Sequence, residues 1–245
     1  MRLDQLLVEK GLFASRSRAR DAIVRGTVTV DHSVVTKPGA TFSDAAVIGV
    51  DDPASGYVSR AALKLIAGLD RFSIDVRDRS ALDIGASTGG FTQVLLERGA
   101  AHVIAVDVGH DQLHDSLRTD ARVSNLEGLN ARVLSRNHLG GQRIGLVVSD
   151  VSFISLKLAL PPALELAEPG SHCVLLVKPQ FEAGREAIGK GGILRDPMDG
   201  ERAANDLRNW LDGLPGWKAL GLCPSPIEGG DGNREYLLAG LKRKD

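Results

Sequence analysis

Residues 80–91, Ser-Ala-Leu-Asp-Ile-Gly-Ala-Ser-Thr-Gly-Gly-Phe, and residues 101–107, Ala-His-Val-Ile-Ala-Val-Asp, constrain this chain more than any other stretch. The first reads as a short buried strand carrying Asp83, a glycine-rich turn and the start of a helix. The second reads as the next buried strand, closed by Asp107. In a doubly wound α/β sheet, ligands lie beyond the carboxyl ends of the strands, beside the first strand-to-helix turn. An acid at the end of the second strand is placed to accept hydrogen bonds from both hydroxyls of a ribose. The turn departs from the Gly-x-Gly-x-x-Gly spacing that makes room for a pyrophosphate.

Gly85, Ser87, Gly89 and Gly90 form the turn, with Asp83 just before it. That pattern suits a nucleoside with a cationic amino-acid tail better than a dinucleotide, and S-adenosylmethionine is such a ligand. Asp83 is expected to hold its amine directly or through water. Glu127 and Asn130, after the third strand, are expected near the adenine. No metal-ligand cluster is evident, so no metal is expected.

From Tyr57 onward, strand and helix patterns alternate. Strands are expected at 80–84, 102–107, 122–126, 144–149, 172–178, near 218–223 and at 235–241, with helices including 57–70, 89–98 and 155–168. Such alternation predicts an α/β fold, a Rossmann-like, mostly parallel sheet of seven strands covered on both faces. The last two strands follow closely across 224–233, as an antiparallel hairpin at the edge would.

Residues 1–50 read as a separate small α+β domain, joined by a polar linker at 51–56 to a second domain over 57–245. Leu3, Leu6 and Leu7 have helical spacing. Ser15 or Ser17 caps a second helix bearing Ala19, Ala22 and Ile23. Thr27–Val35 reads as strand, turn at Asp31-His32, and strand. The net charge is −1, so the whole chain is not a basic nucleic-acid binder. Its cations are uneven: Lys10, Arg16, Arg18, Arg20 and Arg25 face only Asp21 between residues 10 and 25. A local basic surface of this kind holds phosphates.

The pattern Arg2-Leu-Asp-x-Leu-Leu, Gly11, Ser15-Arg-Ser-x-Ala-Arg20, Ile23, Gly26-x-Val-x-Val resembles the S4-type RNA-binding domain. The resemblance implies RNA contacts from Arg2, Arg16, Arg18, Arg20 and Arg25. Arg16 and Arg20 are four apart and share a helix face, a spacing that meets successive phosphates.

Further chemistry collects at strand ends. Asp150 closes the fourth strand and Lys178 the fifth, Glu235 opens the last, and Lys64 sits on the helix before the first. A lysine closing an apolar strand needs a partner, and Asp150 is the obvious one. Tyr57-Val-Ser-Arg-Ala-Ala, Asp83-Ile-Gly-Ala-Ser-Thr-Gly-Gly-Phe-Thr92, Asp150-Val-Ser-Phe-Ile-Ser155, Leu-Val-Lys178-Pro-Gln-Phe-Glu182 and Asn233-Arg-Glu-Tyr236 resemble FtsJ-type ribose 2'-O-methyltransferases. Together with the S4-type segment they resemble the TlyA family of rRNA methyltransferases, which also carries a hemolysin label. The resemblance places a Lys-Asp-Lys-Glu tetrad on Lys64, Asp150, Lys178 and Glu235. Leu63 stands where the family often has His. The implied reaction is methylation of a ribose 2'-hydroxyl of ribosomal RNA, 23S, 16S or both, on free RNA or on ribosomal subunits. Lys178 would be the base, Lys64 a neighbouring cation that favours its neutral form, Asp150 the group that orients them, and Glu235 the holder of Lys64 or the hydroxyl.

Other readings are weaker. Gly85-x-Ser87-x-Gly89 matches the hydrolase nucleophile turn, with Asp150 and His172 following in order, but that reading leaves Asp107 and both lysines unexplained. Gly184–Gly191 falls one residue short of a phosphate-binding loop, and is expected to be a mobile loop over the substrate. An inactive RNA-binding or assembly factor conflicts with the intact tetrad, and no amphipathic or spanning segment supports a membrane-active protein. Cys173 and Cys223 lack metal spacing and read as reduced thiols, consistent with a cytoplasmic protein that has no membrane partner.

Overall fold

In the first residues, leucine spacing and one buried acid build the local structure. The computed structural model describes residues 1–230 and 232–244. Asp231, in the expected connection between the last two strands, and Asp245 lie outside the described residues. Helix α1 (Leu3–Glu9) buries Leu3, Leu6 and Leu7. Helix α2 (Arg16–Val24) is capped by Ser15, whose Oγ accepts from the Arg18 N–H at 3.4 Å. Ala19, Ala22 and Ile23 pack with Leu3, Leu7, Val28 and Val30 into one core.

Strand β1 (Val28–Val30) pairs antiparallel with β2 (Ser33–Val34) across Asp31-His32, both at positive φ (48° and 64°), as a tight hairpin requires. It also pairs with β3 (Ile48–Val50). This third strand has no clear sequence signal. It is three residues long with a glycine at its centre, and Thr29 Oγ1 lies 2.6 Å from where a Gly49 Cβ would stand. Residues 51–56, expected as a polar linker, group with this first unit, Met1–Gly56. Arg25 donates to Asp52 through both terminal nitrogens (2.7 and 2.9 Å), and Ala54 is buried.

The second unit begins at Tyr57. Its helices are α3 (Ala62–Arg71), α4 (Gly90–Glu97), α5 (Asp115–Arg118), α6 (Leu156–Ala159), α7 (Pro161–Leu166) and α8 (Pro197–Asp212). Its strands are β4 (Ser80–Ile84), β5 (His102–Asp107), β6 (Val123–Glu127), β7 (Ile144–Ser149), β8 (Ala167–Val177), β9 (Trp217–Pro224) and β10 (Tyr236–Lys242). The sheet order is β6-β5-β4-β7-β8-β10-β9, parallel except for β10. The hairpin forms, but β10 is inserted between β8 and β9, so β9 is the edge.

Side chains alternate between two cores. Ala81, Val103, Leu146, Val148, Val174 and Leu176 face the α3/α4 side. Leu82, Ile104, Val147, Leu175 and Leu238 face the α6/α7/α8 side. Strands buried on both faces explain the near-continuous apolar runs.

Two expectations on length fail for local reasons. The helix expected from residue 57 starts at Ala62, because 57–61 are turns folded against α4. A Gly90 Cβ would stand 2.9 Å from Ser59 Cβ, and the Val58 N–H donates to Gln93 Oε1 at 2.8 Å. The helix expected over 155–168 breaks at Leu160, because Pro161 and Pro162 lack the N–H that would continue it and begin a new helix instead.

Candidate active site

The chain runs from β4 to β5 and β6 on one side, then crosses to β7 on the other. This makes the carboxyl ends of β4 and β7 the switch point where such sheets bind ligands. A cavity of about 450 Å³ opens there. Its walls include Gly85, Ser87, Asp107, Val108, Asn130 and Phe153. A second cavity of about 230 Å³, lined by Ser59, Thr88, Gly90 and Lys178 among others, shares Gly85, Ser87, Asp150 and Ser152 with the first. The two therefore adjoin through these four residues, and Lys178 stands in the wall of the smaller one alone.

The glycines shape this groove by close packing. Gly85 has φ +83°, and a Cβ there would stand 3.0 Å from the Asp150 carbonyl oxygen. Gly89 has φ +97°, and a Cβ would strike Leu113 and Leu117. Gly89 and Gly90 therefore serve the seating of α4 first, although Gly90 also lines the smaller cavity. Ser87, at φ 48°, donates its N–H to Asp107 Oδ2 at 2.8 Å, and Asp107 Oδ1 accepts from the Gly109 N–H at 2.7 Å. These bonds fix the Asp107 carboxylate at the cavity wall, with lone pairs left for further donors. Asn130 lines the larger cavity while its side chain caps the following turn at the Arg132 N–H, 3.0 Å away.

Two expected cofactor residues do not themselves line either cavity. Glu127 does not line the cavity. Its Oε1 accepts from the Gln112 and Leu113 N–H groups (2.7 and 2.9 Å) and its Oε2 from Asn125 Nδ2 (3.1 Å). These backbone N–H bonds hold its carboxyl down at about 2. Glu127 thus anchors the loop that carries Gln112, which does line the cavity. Asp83 lies beneath the turn, fully buried, accepting from Thr92 Oγ1 at 2.7 Å, while its Oδ1 has no partner among the described residues. Burial pushes its carboxyl up to about 7, and the nearby Asp150 and Asp107 add to this.

The tetrad resolves into two ion pairs. Lys178 Nζ lies 2.6 Å from Asp150 Oδ1 and donates to Ser152 Oγ at 2.7 Å. Lys64 Nζ lies 2.5 Å from Glu235 Oε2, and both side chains are buried. Both pairs spring from neighbouring strand ends. β10 runs antiparallel to β8 with Tyr236 opposite Val177, and Glu235 and Lys178 are the residues next to that register pair. α3 lies over the same strands, because a Gly68 Cβ would stand 2.8 Å from Val174 Cγ1, one turn beyond Lys64.

Ser59, Ser152 and Phe153 stand in the quoted motifs but had no role assigned to them. Ser152 had a local signal, two residues after a strand-closing acid. Phe153 is 89% exposed at positive φ (64°), a conformation that no local pattern announces. The loop expected to be mobile over the substrate makes contacts of its own in this structure. Residues 188 and 194 bridge, and Asn233, 3% exposed, accepts from the Leu194 N–H and donates to Gly192 O. His172, which a hydrolase would need beside Ser87, lies 2.9 Å from Arg79 at the opposite end of the sheet.

In the first unit, most of the expected phosphate ligands have internal partners. Asp4, wholly buried, accepts from Arg2 (3.1 Å) and Arg16 (3.0 Å), which hold its carboxyl down at about 2. Arg25 joins Asp21 and Asp52 and is largely covered. Arg18 reaches the Ala54 carbonyl at 3.4 Å. Arg20 is exposed and makes no ion pair among the described residues. Arg2 and Arg16 remain about half exposed, so their spare N–H groups stay available.

Comparison with known proteins agrees with this arrangement. Residues 57–242 match the FtsJ-like methyltransferase family and residues 1–48 the S4 domain. The chain is 46% identical to the 16S/23S rRNA (cytidine-2'-O)-methyltransferase TlyA of Mycobacterium tuberculosis, over 97% of this chain and 88% of that protein. It is 41% identical to Hemolysin A of Brachyspira hyodysenteriae, over 97% of this chain and 98% of that one. The solved structure of a candidate hemolysin from Streptococcus thermophilus superposes with a TM-score of 0.77 at 40% identity, covering 100% of this chain and 89% of that one. Among the described residues no helix is long and apolar enough to cross a membrane. By domain order, sheet topology and sequence identity over nearly its whole length, the chain belongs to the TlyA family, with an S4 domain followed by an FtsJ-like methyltransferase domain.

Proposed function

We propose that this protein methylates a ribose 2'-hydroxyl of ribosomal RNA using S-adenosylmethionine, with Lys178 as the base. The observation that carries the reading is that the two cavities adjoin. The cavity walled by Asp107, an acid at the end of the second parallel strand, shares Gly85, Ser87, Asp150 and Ser152 with the one walled by Lys178 and its partner Asp150. The larger cavity lies within the usual range for small-molecule sites, roughly 300–1,000 Å³. Asp107 and Asn130 would hold the nucleoside. Gly85 and Ser87 would border the amino-acid tail, and the unpartnered Asp83 Oδ1 beneath them suits a cation above. S-adenosylmethionine, when bound, supplies an electrophilic methyl group.

The chain's own task is to turn a protonated hydroxyl into a nucleophile and to aim it. Lys178, once its own ammonium has lost a proton to solvent, takes the hydroxyl proton as the neutral amine, while Asp150 and Ser152 fix its Nζ at the wall of the smaller cavity. Lys64 and Glu235 form a buried ion pair that ties α3 to the residue before β10, next to the strand end from which Lys178 projects. Positioning of this kind supplies a large part of the acceleration of an in-line displacement. Phe153 presents an exposed ring at the lip of the groove, and single-stranded bases stack on such rings. The RNA itself is supported by the S4 domain, by exposed Arg20 and by the relatives' names.

The test is transfer of labelled methyl from S-adenosylmethionine to separated small and large ribosomal subunits, with Lys178→Ala beside wild type. Label on ribose, lost in the variant while cofactor affinity persists, is the expected result. Turnover by Lys178→Ala near that of wild type would remove Lys178 as the base.

A further inference from the structure

The loop after β7 carries Asp150, and the loop after β8 carries Lys178. They touch at successive points along their length. Lys178 Nζ meets Asp150 and Ser152. The Phe153 and Phe181 rings lie 5.1 Å apart, tilted by 49°. Beyond them, the half-buried Glu182 accepts from Ser155 Oγ at 2.6 Å and from the Leu156 N–H at 2.8 Å. We propose that Glu182 is a positioning residue, which pins the β7 loop to the β8 loop and so fixes how Asp150 meets Lys178. This inference rests on the reaction proposed above.

The physical reason lies in Phe153. A bulky residue at φ 64° is strained, and such a conformation persists only where its surroundings over-determine it. The strained residue is held on one side by the Lys178–Asp150 and Lys178–Ser152 contacts. On the other it is held by the bonds of Glu182 to Ser155 and Leu156. Released from the second anchor, the segment can relax toward negative φ, and Asp150 and Ser152 lie within three residues of that rotation. Glu182 also satisfies an N–H at the start of α6, a donor that the helix leaves without an internal partner. Burial pushes the Glu182 carboxyl above the usual range, while its bonds to Ser155 and Leu156 oppose this. A neutral amide is therefore a close substitute. Gln at this position still accepts from the Leu156 N–H and donates to Ser155 Oγ.

The experiment compares wild type, Glu182→Ala, Glu182→Gln, Ser155→Ala and the Glu182→Ala/Ser155→Ala double variant. Glu182→Ala is expected to lower kcat by about tenfold or more, as misplacement of a reacting group does, with the KM for S-adenosylmethionine within about twofold. Glu182→Gln restores kcat to within about threefold of wild type. The double variant falls no further than Glu182→Ala, since both changes cut one bridge. Amide hydrogen exchange over residues 151–156 accelerates in Glu182→Ala and not in Glu182→Gln, a readout that needs no turnover. Unchanged exchange in Glu182→Ala, or losses that add in the double variant, would overturn the role of Glu182. A wild-type protein that transfers no methyl group would instead overturn the reaction, leaving the exchange result to decide on Glu182.

Discussion

Replacing Asp83 by Asn isolates the one buried carboxyl under the groove. In the folded protein Asp83 keeps its proton up to about pH 7, whereas in the unfolded chain it loses it near its ordinary value of 3.8. Between those limits the folded state binds more protons, so stability falls as pH rises. The full contribution is present below 3.8 and is lost above about 7. One pKa unit corresponds to about 1.4 kcal/mol. Raising the pH from 5 to 8 crosses about two units of this window and should cost wild type about 3 kcal/mol through this group alone. Asn has no such dependence. Its amide leaves an NH₂ unpaired where Oδ1 now stands, but that penalty is the same at both pH values and cancels. The stability of Asp83→Asn relative to wild type should therefore rise by about 3 kcal/mol from pH 5 to pH 8. Urea unfolding followed by tryptophan fluorescence measures this directly, because the two tryptophans, Trp210 and Trp217, both lie in the second unit, on α8 and β9. A difference constant to within about 1 kcal/mol would show that Asp83 is already ionised in the fold at pH 5, refuting the reasoning. If Asp83 faces the cofactor's amine as proposed, the same variant should bind S-adenosylmethionine about tenfold or more weakly by calorimetry at pH 8, where the wild-type group is ionised.

Lys64→Ala strands the Glu235 carboxylate in the core and should destabilise the second unit by about 3–5 kcal/mol in thermal or urea unfolding. Lys64→Met with Glu235→Leu should recover most of that stability without recovering turnover. Arg20→Ala should leave stability unchanged and reduce the slope of log affinity against log salt for RNA by about 1. Arg25→Ala should instead loosen residues 51–56 and destabilise the first unit by about 2–3 kcal/mol, read by amide exchange, because Asp52 loses its partner. Asp4, held at about 2 by Arg2 and Arg16, makes the first unit acid-sensitive: stability present above pH 4 should be lost as the pH falls through about 2, visible in an NMR titration of α1.

The residues themselves determined the strand-turn-helix at 80–91, the strands at 102–107 and 144–149, and the placement of Asp107, Asp150 and Lys178 at strand ends. Apolar runs buried on both faces and glycine punctuation are local signals, and the rule that parallel strands gather their carboxyl ends at one edge then locates the groove. The same sequence gave no sign of β3, whose central glycine answers to the Thr29 side chain across the sheet. Partnership was decided only by the tertiary structure. Lys64 meets Glu235 across 171 residues because β10 inserts between β8 and β9. Arg2 and Arg16 converge on Asp4 where a basic face alone was legible, and Glu127 turns to backbone N–H groups of a neighbouring loop. Glu182 reads as one more acid in a motif until the β7 and β8 loops lie side by side. A charge shows in the sequence, but which charge neutralises it depends on how the chain returns, and that is set by strand order.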